Sequence, residues 1–116
     1  MLYATIVLFI MAAIIGAYMF TMVLSRRPRP NWTLLLHGAF AATAISLLIY
    51  YSAMHTEESA PTASIVFFIL AVFGGFIMLI IDKVMSRRVP VYFPLLHAGA
   101  AVTGLVLLVI YVINHS

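Results

Sequence analysis

Residues 35–55 read LLHGAFAATAISLLIYYSAMH, and residues 95–115 read LLHAGAAVTGLVLLVIYVINH. Leu35, Leu36, His37, Ala41, Thr43, Leu47, Leu48, Tyr51 and His55 recur as Leu95, Leu96, His97, Ala101, Thr103, Leu107, Leu108, Tyr111 and His115. The chain has four histidines, and this correspondence uses all of them. Within each copy the two imidazoles stand eighteen residues apart. At about 3.6 residues per turn that is roughly five whole turns, so both point off one helix face. At about 1.5 Å per residue they lie roughly 27 Å apart along the axis, close to the thickness of a bilayer's hydrocarbon core.

The composition around these stretches fixes the solvent. Of 116 residues, 66% are hydrophobic and 8% charged, with a mean hydropathy of +1.19, whereas soluble domains are about 25% charged. A surface this poor in charge is matched to lipid. The net charge of +3 comes from six basic residues gathered in two short clusters, a membrane-topology pattern with no support for nucleic-acid binding. The absence of cysteine excludes disulfides, thiolate-held iron–sulfur clusters and thiol catalysis.

Four apolar runs succeed one another: Leu2–Leu24, then about Trp32–Met54, Ala63–Ile81 and Tyr92–Ile113. The first lacks the basic start and small-residue cleavage site of a secretory signal and reads as a permanent span. Prolines and basic residues separate the first run from the second (Ser25 to Asn31) and the third from the fourth (Ser86 to Pro90). Trp32 and Tyr92 mark the membrane interface after each. The remaining link, His55 to Thr62, holds the acidic pair Glu57 and Glu58. Since the basic residues all fall beside the first and third links, those links belong on the cytoplasmic side of a membrane, with both termini outside. A bacterial inner membrane is the expected location.

The recurrence extends to the odd-numbered runs. Residues 5–12 resemble residues 64–71, and Gly16 and Met19 match Gly75 and Met78. The expected fold is therefore an all-α membrane protein, an up-down-up-down four-helix transmembrane bundle. It is a single domain, 1–116, built from two parallel two-helix repeats, 1–60 and 61–116. In such an arrangement the second and fourth spans face each other across the centre.

Steps of three and four from His37 lead through Ala41, Ala44, Leu48 and Tyr51 to His55; from His97 they lead through Ala101, Gly104, Leu108 and Tyr111 to His115. Small residues beside the first imidazole of each copy, Gly38 and Gly99 among them, leave a slot for a flat macrocycle, and Leu48 and Leu108 would fill the space between two such slots. Paired neutral imidazoles saturate a haem iron, which suits electron transfer. The expected ligand pairs are His37 with His97 on the cytoplasmic side and His55 with His115 on the outer side, giving two b-type haems. The plainer alternative makes the histidines polar glue between helices. Another variant is an outward zinc site of His55, His115 and Glu57 or Glu58.

The pattern resembles the haem-bearing core of membrane b-type cytochromes. In the cytochrome b of quinol-oxidising complexes, the second and fourth spans each supply two histidines and hold one haem near each face. The resemblance covers the four-span core and rests on histidine placement and topology. It implies transmembrane electron transfer through His37, His97, His55 and His115. The histidine spacing within each helix is about one turn longer here, which separates the haems further, and quinone-site signatures are lacking. The protein would be an electron carrier or oxidoreductase component, with donor and acceptor open and homo-oligomerisation compatible with the pattern.

Two other functions fit the bulk properties. A cofactor-free membrane anchor or assembly subunit would use the histidines for packing. A small-multidrug-type transporter matches in size, but proton-coupled export needs a carboxylate within the membrane and no span carries one in its interior. The remaining polar residues have simple readings: the arginines and Lys83 as topology anchors, some also facing haem propionates, and Asp82 as the local partner of Lys83.

Overall fold

Prolines set where the helices begin. In the computed structural model, which describes residues 1–55 and 61–115 and only the backbone of His115, α1 spans Leu2–Leu24 and α2 spans Asn31–Met54. Helix α3 covers Thr62–Leu79 and continues as a π-helical turn, Ile80–Val84; α4 is Tyr92–His115. Pro30, extended at φ −62° and ψ 141°, stands just before α2. The Thr33 hydroxyl donates to its carbonyl at 2.6 Å. Pro90 serves α4 likewise, receiving the Phe93 N–H at 3.1 Å. Pro94 falls in the first turn of α4, where a helix has no use for the missing N–H.

All four helices are long and apolar enough to cross a membrane. At 23 residues, α1 has a length of about 34 Å at 1.5 Å per residue. The described chain is 46 Å along its longest axis. Its outer surface is apolar: Leu35, Leu96 and Phe73 are among many large hydrophobic side chains left exposed. Thr43 and Thr103 face outward too, and each hydroxyl donates to the carbonyl four residues back. Their polarity is thus satisfied within their own helix.

Consecutive helices pack as two tight hairpins, α1 on α2 and α3 on α4. The hairpins meet along α1–α4 and, more loosely, along α2–α3. That leaves α2 and α4 on one diagonal and α1 and α3 on the other. Residues that correspond in the two halves of the sequence meet on these diagonals. Phe9 stacks on Phe68 with ring centres 3.8 Å apart and planes 4° from parallel. Tyr51 meets Tyr111 edge-on at 6.4 Å. Leu48 and Leu108, from opposed helices, are the largest fully buried side chains.

Sequence expectation and structure part at the end of α3. The third span was expected to stop at Ile81, but helical backbone continues to Val84 and carries Asp82 and Lys83 with it. Asp82 is also held differently. Its closest partner is Arg29 of the first link, at 2.8 Å, with Lys83 at 3.8 Å. Lys83 donates instead to the Asn31 side chain at 3.1 Å. These bonds tie the first link and the start of α2 to the end of α3.

Helix α1 ends with Arg26 in the left-handed region at φ 56°. The Arg27 N–H reaches back to the Met22 carbonyl at 2.9 Å, and the Arg26 N–H to Val23, which satisfies the last carbonyls as a Schellman motif does. At the end of α3 Ser86 takes that role at φ 52°. There the corresponding bond, Arg87 to Ile81 at 3.0 Å, spans one residue more.

Candidate functional site

The site is built from backbone carbonyls as much as from side chains. His37 projects from α2 toward α1, where its Nδ1 lies 2.8 Å from the Ala12 carbonyl oxygen. His97 projects from α4 toward α3, with Nδ1 2.7 Å from the Ala71 carbonyl oxygen. A carbonyl can only accept, so Nδ1 carries the proton. In the neutral ring this leaves a bare lone pair on each Nε2. Gly16 and Gly75 stand one turn beyond Ala12 and Ala71 beside the rings, and the approach is tight at Gly16. A methyl group on Gly16 would stand 3.0 Å from Cε1 of His37, and one on Gly75 would stand 3.4 Å from Cε1 of His97.

The two rings are close to each other. Their centres lie 5.9 Å apart with planes at 64°. Two metal–nitrogen bonds of about 2 Å, each with an imidazole radius of roughly 1.1 Å, place ring centres about 6 Å apart. The 5.9 Å separation, which is also that of an edge-to-face ring contact, would admit one metal ion between the rings only if both Nε2 atoms turned toward it. Both rings also line a cavity of about 290 Å³ bounded mainly by small and apolar residues. Gly38, Ala41 and Ala42 contribute from α2, Ala71, Val72 and Gly75 from α3, and Ala101 from α4. A side chain added at Gly38 would meet nothing within 4 Å. Two imidazoles with bare Nε2 atoms beside an apolar wall are a donor set of the kind a metal-bearing ligand takes.

Of the residues singled out by their spacing, His37, His97, Gly38, Ala41 and Ala101 come together around this cavity. Ala44 and Gly104 do not line it. Ala44 is fully buried in the core cluster beside it. A methyl group on Gly104 would meet the Phe68 ring at 3.2 Å, and its carbonyl accepts from the Ser64 hydroxyl at 2.8 Å. The stacked Phe9–Phe68 pair occupies the axis at their level. Gly99 has open space around it and is not on the cavity wall.

The outer imidazoles stand apart from this picture. His55 is exposed, its ring stacked on Tyr51 at 4.1 Å and its Nδ1 3.0 Å from the Tyr51 carbonyl. The side chain of His115 lies outside the described residues, as do Glu57 and Glu58, so the expected outer pair and its zinc variant fall there too. No cluster of three metal-ligating side chains occurs among the described residues.

Neither a family model, nor a curated protein, nor a solved structure matches this chain. Its function is read from the site alone. Spacing along α2 and α4 located the imidazoles but missed what holds them. Ala12 and Ala71 act through main-chain oxygens, which no residue letter records. One signal was available: alanine followed four residues later by glycine recurs as Ala12–Gly16 and Ala71–Gly75.

Proposed function

We propose that this chain is a small integral-membrane cytochrome of b type that passes electrons across a bilayer. It sits in a bacterial inner membrane with the basic links cytoplasmic and both termini outside. Its two halves are parallel repeats about an axis along the membrane normal. His37 and His97 ligate one haem; His55 and His115 ligate a second, outer one, a pairing that rests on their eighteen-residue echo in the sequence. When bound, a bis-imidazole haem supplies reversible one-electron transfer with no open iron position.

The observation that carries this reading is the paired imidazole geometry. Each Nδ1–H is committed to a neighbouring helix, so the ring can neither rotate nor present the wrong nitrogen. Metal-bound histidines characteristically donate their second N–H in this way, which also raises the basicity of the ligating nitrogen. Phe9, Phe68, Phe76 and Leu79 bound the cavity with apolar surface that excludes water and favours the less charged state of whatever is held there.

A second reading draws on the same bonds. An imidazole donating to a carbonyl of the adjacent helix is also interhelical glue, worth around 1 kcal/mol in a membrane. The protein would then be a cofactor-free anchor or assembly subunit.

Haem counting separates the two. Wild type purified from haem-replete cells is expected to be red with a sharp Soret band. Both His37→Ala and His97→Ala should lose the same haem, and His55→Ala the other. A colourless wild type rules out the cytochrome and leaves the anchor. Loss of one haem only on replacing His37 or His97, with none lost from His55→Ala, removes the outer centre.

A further inference from the structure

We propose that the hollow between the two basic links binds the phosphate headgroup of an anionic phospholipid. This rests on the reading of the chain as membrane-spanning and is independent of the haem. The hollow has a volume of about 610 Å³ and is walled by Arg26, Arg27 and Arg29 from the first link, Lys83 from the π-helical turn and Arg88 from the second link. Among the described residues Asp82 is the one carboxylate on it, and Arg29 and Lys83 already flank that group at 2.8 and 3.8 Å. The chain's other two acids, Glu57 and Glu58, lie between α2 and α3 in sequence. Five cations thus surround one neutralising group. Among the described residues Arg26, Arg27 and Arg88 have no ion-pair partner.

Held around one hollow, such cations repel each other unless an anion enters. The wall also has an apolar side, made by Met22 and Val23 at the end of α1 and by Val89. A free oxyanion has no use for that side, whereas a phospholipid passes from phosphate to acyl chain within a few ångströms. The hollow lies where α1 and the π-helical turn of α3 end, at the depth of the headgroups for helices of membrane-spanning length. Guanidinium forks are suited to phosphate, and basic pockets between membrane helices recruit anionic headgroups. Both halves of the chain contribute, so the site exists only where the two links meet.

The test is lipid retention measured by native mass spectrometry. The full chain in neutral detergent is offered equal amounts of phosphatidylglycerol and phosphatidylcholine. Phosphatidylglycerol should be retained preferentially, and each of Arg27→Gln and Arg88→Gln should weaken that preference about fivefold. Arg87→Gln removes the same charge from a residue that does not wall the hollow and should leave the preference intact, as should added inorganic phosphate. Equal retention of the two lipids, an equal loss from Arg87→Gln, or displacement of the lipid by inorganic phosphate would each overturn the proposal. Resistance of the protein to extraction by alkaline carbonate reports membrane insertion separately, so failure of that reading is distinguishable.

Discussion

A methyl group at Gly16 would stand 3.0 Å from Cε1 and 3.3 Å from Nδ1 of His37, while one at Gly75 would meet Cε1 of His97 at 3.4 Å. The first separation is tighter than most real contacts, and the ring that must give way by a few tenths of an ångström is held by its bond to Ala12. The second is ordinary packing. Overpacking costs about 1–3 kcal/mol, against roughly 0.5–1 kcal/mol gained when alanine replaces a helical glycine. Gly16→Ala should therefore destabilise the fold by about 1–2 kcal/mol and disturb the His37 site, whereas Gly75→Ala should be neutral or mildly stabilising. Unfolding by denaturing detergent, read by circular dichroism and Soret intensity, checks both; equal effects would mean the two glycines are not distinguished by their ring contacts. The histidines themselves were legible in sequence because an imidazole within an apolar run is conspicuous. Their acceptors were not, since any residue carries a carbonyl.

At the scale of the element, the π-helical turn Ile80–Val84 reconciles two registers. Corresponding residues of α1 and α3, such as Ala12 and Ala71, are 59 positions apart, while those of α2 and α4, such as His37 and His97, are 60 apart. The histidine-to-carbonyl separation is accordingly 25 residues in the first hairpin and 26 in the second. A wider helical turn absorbs the surplus residue without rotating the backbone beyond it, which is the usual effect of a single π turn within an α-helix. Deleting Val84, which is exposed, should let the turn close as regular α-helix and give the second hairpin the separation of the first. His97 should keep its site and its spectral signature; losing them would show that the π turn sets the position of α4 rather than taking up slack. The sequence carried this surplus in its two offsets, but where the chain would accommodate it was not readable. The charged residues Asp82 and Lys83 suggested an end to the span at the place where helical backbone in fact continues.

For the whole molecule, the decisive feature is that both basic links lie at one end, where Arg29–Asp82 and Lys83–Asn31 join the first link and α2 to the end of α3. Under the proposed topology that end is the cytoplasmic one. Because the chain has no cysteine, single replacements report topology cleanly. Ser25→Cys and Ser86→Cys should react with an impermeant maleimide only from the cytoplasmic side, and Met54→Cys only from outside. Labelling of the two serine positions from opposite sides would dismantle the four-span topology. The looser α2–α3 seam also belongs to this scale, since it leaves the bundle least closed between the hairpins.

The number of helices, their apolar character and the inward face of α2 from His37 to Tyr51 were written in the order of the residues; His55, on the same face, is exposed. They come from hydropathy and from the 3.6-residue period, both of which are local properties of a chain. Which neighbour each inward residue meets was decided only by the folded bundle. It put Phe9 against Phe68, engaged Asp82 with Arg29 and set the two inner imidazoles 5.9 Å apart. Contacts of this kind depend on how four helices are rotated and displaced against one another, and that relative placement comes from packing between segments far apart in sequence.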